Sequence, residues 1–200
     1  MANNDSLMTS ILQFAMEGKL VSQNAFDSNS FDFLNNLLKS KKRIFNKIVL
    51  EDDKYFEIVG NKKIDISEEI SVKIPSSWSY IRLCDLADNI EAGGTPSRST
   101  SSFWENGTIP WVKIGDMQSK YVDKTSEFIT EAGLNNSSAK LFPKGTILYS
   151  IFASIGTTAF LNIEASTNQA IAGLFFDESL NKEFIYYFLK NFMLRVNTHI

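Results

Sequence analysis

The sequence predicts an α+β protein in which a helical N-terminal stem precedes a β-rich domain that ends in a C-terminal helix. Apolar residues recur at steps of three and four near both ends, and short β-branched runs broken by Gly and Pro fill the middle. The 200 residues, 44% hydrophobic and 22% charged, suffice for one ordinary domain plus a helical extension. We expect the stem at residues 1–50, a hairpin and linker at 51–77 and the β-rich domain at 78–200.

The first 50 residues are expected to form two helices. The first carries one apolar stripe and stops at Gly18, the stripe being Leu7, Met8, Ile11, Leu12 and Ala15. The second is expected to begin with Ser30 as its N-cap. Its apolar spacing is that of a coiled-coil seam, formed by Phe31, Leu34, Leu38, Lys41, Phe45 and Ile48. This helix needs a partner, either the first helix or another chain, and the predicted subunit interface consists of Leu34, Leu38, Phe45 and Ile48.

Beyond residue 51 the pattern changes to short strands. Residues 55–59 and 62–66 flank Gly60-Asn61, which is typical of a tight hairpin turn. Further strands are predicted at 78–83, 109–114, 146–151, 158–163 and 170–176. A short helix is predicted at 84–90, a polar loop at 92–107, a capped turn at 130–134, a turn at 143–145 and a final helix at 181–198.

The chain lacks the residues that several classes of enzyme require. Cys84 and His199 are the sole cysteine and histidine, so neither a zinc site of soft ligands nor a Ser/His/Asp or Cys/His catalytic set is expected. No Gly-x-x-x-x-Gly-Lys-Ser/Thr or Gly-x-Gly-x-x-Gly motif occurs. The Asp52-Asp53-Lys54 run is more typical of a solvated charge cluster than of a nuclease site, and Asp116 of a turn cap than of a general base. We therefore predict no catalytic residues and no metal site.

The polar loop at 92–107 is the strongest sign of a recognition surface. Gly93-Gly94 permits a close backbone approach, and hydroxyl and guanidinium donors follow at Thr95, Ser97, Arg98, Ser99, Thr100, Ser101 and Ser102. Trp104 and Trp111 are expected to anchor the loop in the core. Asn168 and Gln169 place two amides ahead of a strand, where they either read a base edge or cap the strand. A flexible surface loop is the alternative, and charge alone does not decide between them.

No membrane association is expected. The longest uncharged run, residues 145–163, contains hydroxyl and amide side chains and is interpreted as two buried strands with a turn. The first residues lack a basic secretory leader. We expect a cytoplasmic protein.

Two regions of the chain resemble a known family. One runs Gly93-Gly94-Thr95-Pro96-Ser97, then Phe103-Trp104-x-Asn106-Gly107-x-Ile109-Pro110-Trp111-Val112-Lys113-x-x-Asp116-Met117, with later matches at Ser154-Ile155-Gly156 and Asn168-Gln169-Ala170. The other is the stem segment Ser10-Ile11-Leu12-Gln13-x-Ala15-x-x-Gly18-Lys19-Leu20-Val21-x-Gln23. Together they resemble the target-recognition domain and the conserved helical region of specificity subunits of type I restriction–modification systems.

The resemblance implies a non-catalytic reader of double-stranded DNA. Subunits of this family carry two target-recognition domains, each reading half of a split target, and hold methyltransferase (M) and restriction (R) subunits. S-adenosylmethionine, ATP and Mg are then expected in the partner subunits and no cofactor in this chain. One recognition domain is present and the chain stops after its last predicted helix. A fragment or a half-subunit is therefore expected, the latter able to pair with its own copy.

The leading hypothesis is thus a DNA sequence-specificity subunit. Its predicted DNA-binding residues are Thr95, Ser97, Arg98, Ser99, Lys113, Lys120, Lys140, Asn168 and Gln169, with the four cations on phosphates. The alternative is a protein-interaction or regulatory module for the methyltransferase that does not read DNA itself. A nuclease built on Asp52, Asp53 and Lys54 is a third, weaker hypothesis.

Overall fold

The computed structural model describes residues 2–24, 26–70 and 72–196, and the chain divides into two compact units, Met1–Leu86 and Ala87–Ile200. Residues 78–86 therefore pack with the first unit. The first unit contains α1 (Ala2–Met16), α2 (Ser30–Ser40), β1 (Lys47–Glu51), β2 (Lys54–Val59), β3 (Lys62–Asp65) and α3 (Leu83–Leu86). The second contains β4 (Asn89–Ala92), β5 (Ile109–Val112), β6 (Tyr121–Val122), β7 (Glu127–Ile129), α4 (Glu131–Asn135), β8 (Leu141–Phe142), β9 (Ile147–Ser150), β10 (Thr158–Leu161), β11 (Ala165–Thr167), β12 (Ile171–Phe175) and α5 (Lys182–Val196).

Helix α1 ends as the sequence predicts. Gly18 follows it with a φ of +65°, the left-handed conformation that glycine adopts without strain. Of its side chains that the structure describes, Leu12 and Met16 are buried, whereas Leu7 and Met8 are 60% and 55% exposed. Most of the predicted apolar stripe therefore faces outward.

Helix α2 corrects two predictions. Its N-cap is Asn29, whose side chain accepts a hydrogen bond from the backbone N–H of Phe31, so Ser30 is the first helical residue. The helix ends at Ser40, so the predicted seam does not continue to Ile48. Leu34 and Leu38 are buried on the helix, whereas Phe45 lies between helix and sheet and Ile48 lies in β1.

Helix α2 ends in a capping motif, in which Arg43 N–H donates to the carbonyl of Leu38 and Lys42 N–H to that of Lys39, with Lys42 at a left-handed φ of +55°. Residues 47–51 pair along their whole length with β2, from Lys47 opposite Ile58 to Glu51 opposite Lys54. The β-branched residues Ile48 and Val49 suit that ladder better than a helix. Phe45 still packs on α2, with its ring 5.7 Å from that of Phe31.

The first unit contains a three-stranded antiparallel sheet in the order β1-β2-β3. The hairpin predicted around Gly60-Asn61 is confirmed as β2 and β3. Asp52 and Asp53 form the other turn, with φ of +50° and +59°, as a two-residue hairpin loop requires. Asp53 pairs with Lys73 at 2.8 Å on the exposed surface. The fragment proposed for a nuclease is thus a hairpin turn.

A charged cluster connects β2 to the segment that precedes α3. Arg82 Nη2 lies 2.7 Å from Glu57 Oε2, and Arg82 Nη1 also bonds to Glu69. Glu57 is 8% exposed and also accepts a hydrogen bond from Asn46 at 3.0 Å. The hydrogen bond from Arg82 lowers the pKa of Glu57 below its ordinary value, although burial opposes this shift. The strand predicted at 78–83 does not form, and Leu83 begins α3 instead.

We expect Arg82→Ala to lower the free energy of unfolding by about 1–2 kcal/mol, because Glu57 would stay buried without its cation while Arg82 itself is partly exposed. Urea unfolding at neutral pH measures the loss. The Glu57 contribution is present above pH 4.5 and disappears as the pH falls through the lowered pKa. Lys73→Ala, which removes an exposed pair, is the control and should change nothing measurable. An equal loss in both variants contradicts the assignment.

The second unit is built from two sheets. The five-stranded sheet has the order β4-β12-β9-β10-β6, and the four-stranded sheet has the order β7-β5-β11-β8. Two pairings are parallel, β10 with β6 and β11 with β5, and the others are antiparallel. One buried cluster joins both sheets, formed by Val112, Met117, Val122, Phe142, Leu148, Ala159, Leu161, Ala165 and Ile171. The main core therefore lies between the sheets.

The strands predicted at 109–114, 146–151, 158–163 and 170–176 are confirmed, whereas the helix predicted at 84–90 is wrong beyond Leu86, because residues 89–92 form β4. The uncharged run forms β9 and β10, and the capped turn is α4, with Thr130 accepting a hydrogen bond from Gly133 N–H at 3.1 Å. Helix α5 reaches Val196, and residues 197–200 lie outside the described part. Ile185 and Leu189 are buried, whereas Phe184 and Phe188 of the predicted apolar face are exposed. Throughout residues 2–24, 26–70 and 72–196, the structure has no helix with the length and apolar character that a membrane span needs.

Candidate nucleic-acid interface

Residues 93–104, here called the glycine–serine loop, are fixed to the second unit at their base. Gly93 N–H donates to the carbonyl of Ile171 (3.0 Å) and Gly94 N–H to that of Thr167 (2.9 Å). A Cβ on Gly94 would lie 2.3 Å from the carbonyl carbon of Ser138. The close approach that these glycines permit is therefore to the protein's own backbone. The exposed residues of the loop are Ser97, Arg98, Ser99, Ser101 and Ser102.

Gly94→Ala should lower the free energy of unfolding by about 1–3 kcal/mol, because its methyl group would overlap backbone atoms that cannot move cheaply. Gly115→Ala is the matched control, since a Cβ there has no neighbour within 4 Å. Thermal unfolding followed by circular dichroism compares the two. Equal melting temperatures would show that the loop base is not tightly packed.

Two tryptophans anchor the loop through their indole N–H groups. Trp111 Nε1 donates to the carbonyl of Gly94 and Trp104 Nε1 to that of Ser97, each at 3.0 Å. Their rings meet edge to face, with centroids 5.1 Å apart. Trp111 is almost fully buried in β5. Their predicted role as anchors is confirmed.

The structure brings Arg98 and Lys113 together on one carboxylate, Glu127. Arg98 Nη1 lies 2.5 Å from Glu127 Oε2, and Lys113 Nζ lies 2.5 Å from Oε1. The Arg98 guanidinium also lies over the Trp104 ring, 3.6 Å from its centroid. The hydrogen bond from Lys113, then that from Arg98, lowers the pKa of Glu127 against the effect of burial. We call Arg98, Lys113 and Glu127 the Glu127 cluster.

Glu127 is the residue that the sequence analysis missed. It lies on β7 directly opposite Trp111 of β5. Asp116 fixes this arrangement, because its carboxylate accepts hydrogen bonds from Lys113 N–H (2.8 Å) and Ser126 N–H (3.1 Å). Asp116 thus has the predicted role of a turn cap. An open groove adjoins the cluster, lined by Arg98, Trp104, Asn106, Gly107, Ser126, Glu127 and Phe128.

The other two predicted phosphate ligands have separate partners. Lys120 Nζ lies 2.5 Å from Glu183 at the start of α5. It also lies within 6 Å of four aromatic ring centroids, those of Tyr121, Phe160, Tyr186 and Tyr187. The hydrogen bond to Glu183 raises the pKa of Lys120. Lys140 Nζ lies 3.2 Å from Glu91 of β4. All four cations therefore form ion pairs. Arg98 and Lys113 share the carboxylate of Glu127, whereas Lys120 and Lys140 each pair with a different one.

The predicted amide and hydroxyl groups fall into two sets. Thr95 Oγ1 donates to Gln169 Oε1, so the loop base and the turn before β12 meet. Asn168 Oδ1 accepts from Ala170 N–H at 3.0 Å, which makes Asn168 a cap of that turn. Ser97 and Ser99 share a hydrogen bond of 2.8 Å between their hydroxyls on the exposed part of the loop. Within the described residues, no three His, Cys, Asp or Glu side chains are grouped to hold a metal ion.

The sequence that forms most of this structure is similar to a recognised class of protein. Residues 75–199 match the family described as type I restriction modification DNA specificity domain. The match covers more than half of the chain, so the chain belongs to this family, and the resemblance drawn from the sequence motifs is confirmed. The predicted α+β class with a C-terminal helix is also confirmed.

Relatives extend the comparison. The type I restriction enzyme MjaIX specificity subunit of Methanocaldococcus jannaschii is 31% identical over 121 residues, covering 59% of this chain and 28% of that protein. The EcoR124I/EcoR124II specificity subunit of Escherichia coli is 35% identical over 101 residues, covering 48% of this chain and 25% of that protein. The chain thus matches about a quarter of the length of these relatives. The crystal structure of the HsdS subunit from Thermoanaerobacter tengcongensis aligns over 95% of this chain and 37% of that one, with 18% identity and a TM-score of 0.45.

Proposed function

We propose that this chain is a non-catalytic DNA-specificity module that directs the M and R subunits of a type I restriction–modification system to a DNA target. The match of residues 75–199 to a DNA specificity domain carries the proposal. Two relatives are themselves specificity subunits of type I enzymes. The cytoplasm, where such a target would be found, is the proposed location.

In this proposal the exposed face of the glycine–serine loop meets the duplex. Arg98 and Lys113 bind phosphates, which positions the protein but carries no sequence information. Thr95, Gln169 and the paired hydroxyls of Ser97 and Ser99 supply hydrogen-bonding groups for base edges. Arg98 and Lys113 must each first leave Glu127, just as Lys120 and Lys140 contribute only after they leave Glu183 and Glu91. S-adenosylmethionine, ATP and Mg act in the partner subunits, and this chain binds DNA.

Exchange of residues 87–196 for the corresponding residues of a relative should change the DNA sequence that the assembled complex methylates. Sequencing of methylated positions after expression with the M subunit measures this. Exchange of residues 2–70 is the control and should leave the target unchanged. An unchanged target after the first exchange, in a complex that still methylates DNA, contradicts the proposal.

Arg98→Ala should weaken duplex binding by about 1–2 kcal/mol and make binding less sensitive to salt, because one charge-assisted phosphate contact is lost. Gel-shift titration of the assembled complex at several salt concentrations measures both effects. Lys182→Ala is the control, because it removes a cation of α5 that pairs with Glu178, a residue just before that helix. Unchanged affinity at low salt would remove Arg98 from the interface.

A second candidate function, a protein-interaction module that does not read DNA, is favoured by one observation. Helix α1 exposes a row of large apolar side chains, Leu7, Met8, Ile11 and Phe14. Such a row on a short helix is typical of a contact with another helix. Co-purification with the M subunit without any DNA footprint would select this function. A dimeric mass in solution would instead indicate pairing of two copies of this chain.

A further inference from the structure

The Glu127 cluster holds two cations and one carboxylate, and each carboxylate oxygen is occupied by a different cation. A carboxylate and a DNA phosphate accept the same kind of charge-assisted hydrogen bond from Arg and Lys. A phosphate that approaches Arg98 or Lys113 therefore competes with Glu127 for the same N–H groups. It also meets the negative charge of Glu127 at close range.

The fold fixes the positions of Arg98, Lys113 and Glu127 relative to one another. Asp116 joins the backbones on either side, at Lys113 and Ser126, and Trp104 lies beneath the Arg98 guanidinium. The Arg98 side chain is still 53% exposed and that of Lys113 37%, whereas that of Glu127 is 28% exposed. The cations are thus accessible from outside, and the carboxylate lies deeper between them.

We propose that Glu127 restrains sequence-independent DNA binding by occupying Arg98 and Lys113 until a phosphate displaces it. The proposal rests on the DNA-binding function proposed above. Non-specific binding is almost entirely electrostatic, so a built-in acidic competitor weakens it directly. Contacts to base edges do not depend on this displacement and retain their contribution. Glu127 is in this sense a positioning residue that acts through its two cations.

The test compares the full chain, assembled with its M subunit, with its Glu127→Gln variant. Glutamine keeps the shape and one hydrogen-bonding oxygen but removes the charge. Binding to a short random-sequence DNA duplex is followed by fluorescence anisotropy across a salt series. We expect Glu127→Gln to bind about 3- to 10-fold more tightly near 0.1 M salt, from the repulsion of one charge at the protein surface. Its affinity should also fall more steeply as salt is added.

Two further variants separate competition within the Glu127 cluster from a general effect of net charge. Glu164→Gln makes the same charge change at a residue just before β11. Because β11 runs parallel to β5, Glu164 lies near the first residue of β5, whereas Lys113 follows the last one. This variant should bind like the parent protein. Adding Arg98→Ala to Glu127→Gln should remove most of the gain. Thermal unfolding of every variant reports whether the loop is still anchored.

Each outcome has one meaning. If the parent complex binds no DNA at low salt, the proposed function fails, and this inference fails with it. If the parent binds and Glu127→Gln binds equally or more weakly, Glu127 merely fastens the loop and this inference alone is wrong. An equal gain in Glu164→Gln would also overturn it, because net charge rather than the Glu127 cluster would then set the affinity.

Discussion

The position of the glycine–serine loop depends on its attachment to the four-stranded sheet. Trp111 is buried in β5 and its indole N–H reaches the carbonyl of Gly94, while the absence of a side chain at Gly94 lets the loop lie against Ser138. Leaving a buried carbonyl without a donor would cost free energy of folding. The hydrogen bond from Trp111 therefore satisfies the Gly94 carbonyl and also fixes the loop. The exposed residues 97–99 therefore project from a rigid base.

Ion pairs neutralise the cations of the proposed interface. The chain carries a net charge of −3, so its cations are not in excess. Arg98, Lys113, Lys120 and Lys140 each have a carboxylate partner, and those partners come from β7, from α5 and from β4. DNA binding by such a surface is an exchange of partners, in contrast to adsorption on an open basic patch.

In the first unit, the helical spacing of apolar residues continues into a segment that forms a β-strand. The spacing of Leu34, Leu38, Phe45 and Ile48 fits one continuous helix, yet the helix ends at Ser40 and residues 47–51 pair with β2. Leu34 and Leu38 are buried by the packing of the unit, and the outward apolar row lies on α1. The assignment of the four residues to a subunit interface stays a prediction.

The sequence by itself determined the family, the α+β class, the hairpin at Gly60-Asn61, the capped turn at Thr130 and, in the described part of the second unit, the strands β5, β9, β10 and β12, whereas it did not predict β4, β6, β7, β8 and β11. The features that it determined depend on residues close together in the chain, through side-chain alternation, turn chemistry and capping. Only the tertiary structure decided where α2 ends, what the glycines approach and which carboxylate each cation meets. Glu127 faces Arg98 and Lys113 because of the register between β5 and β7. That register is set by packing between distant segments, which a local pattern does not encode.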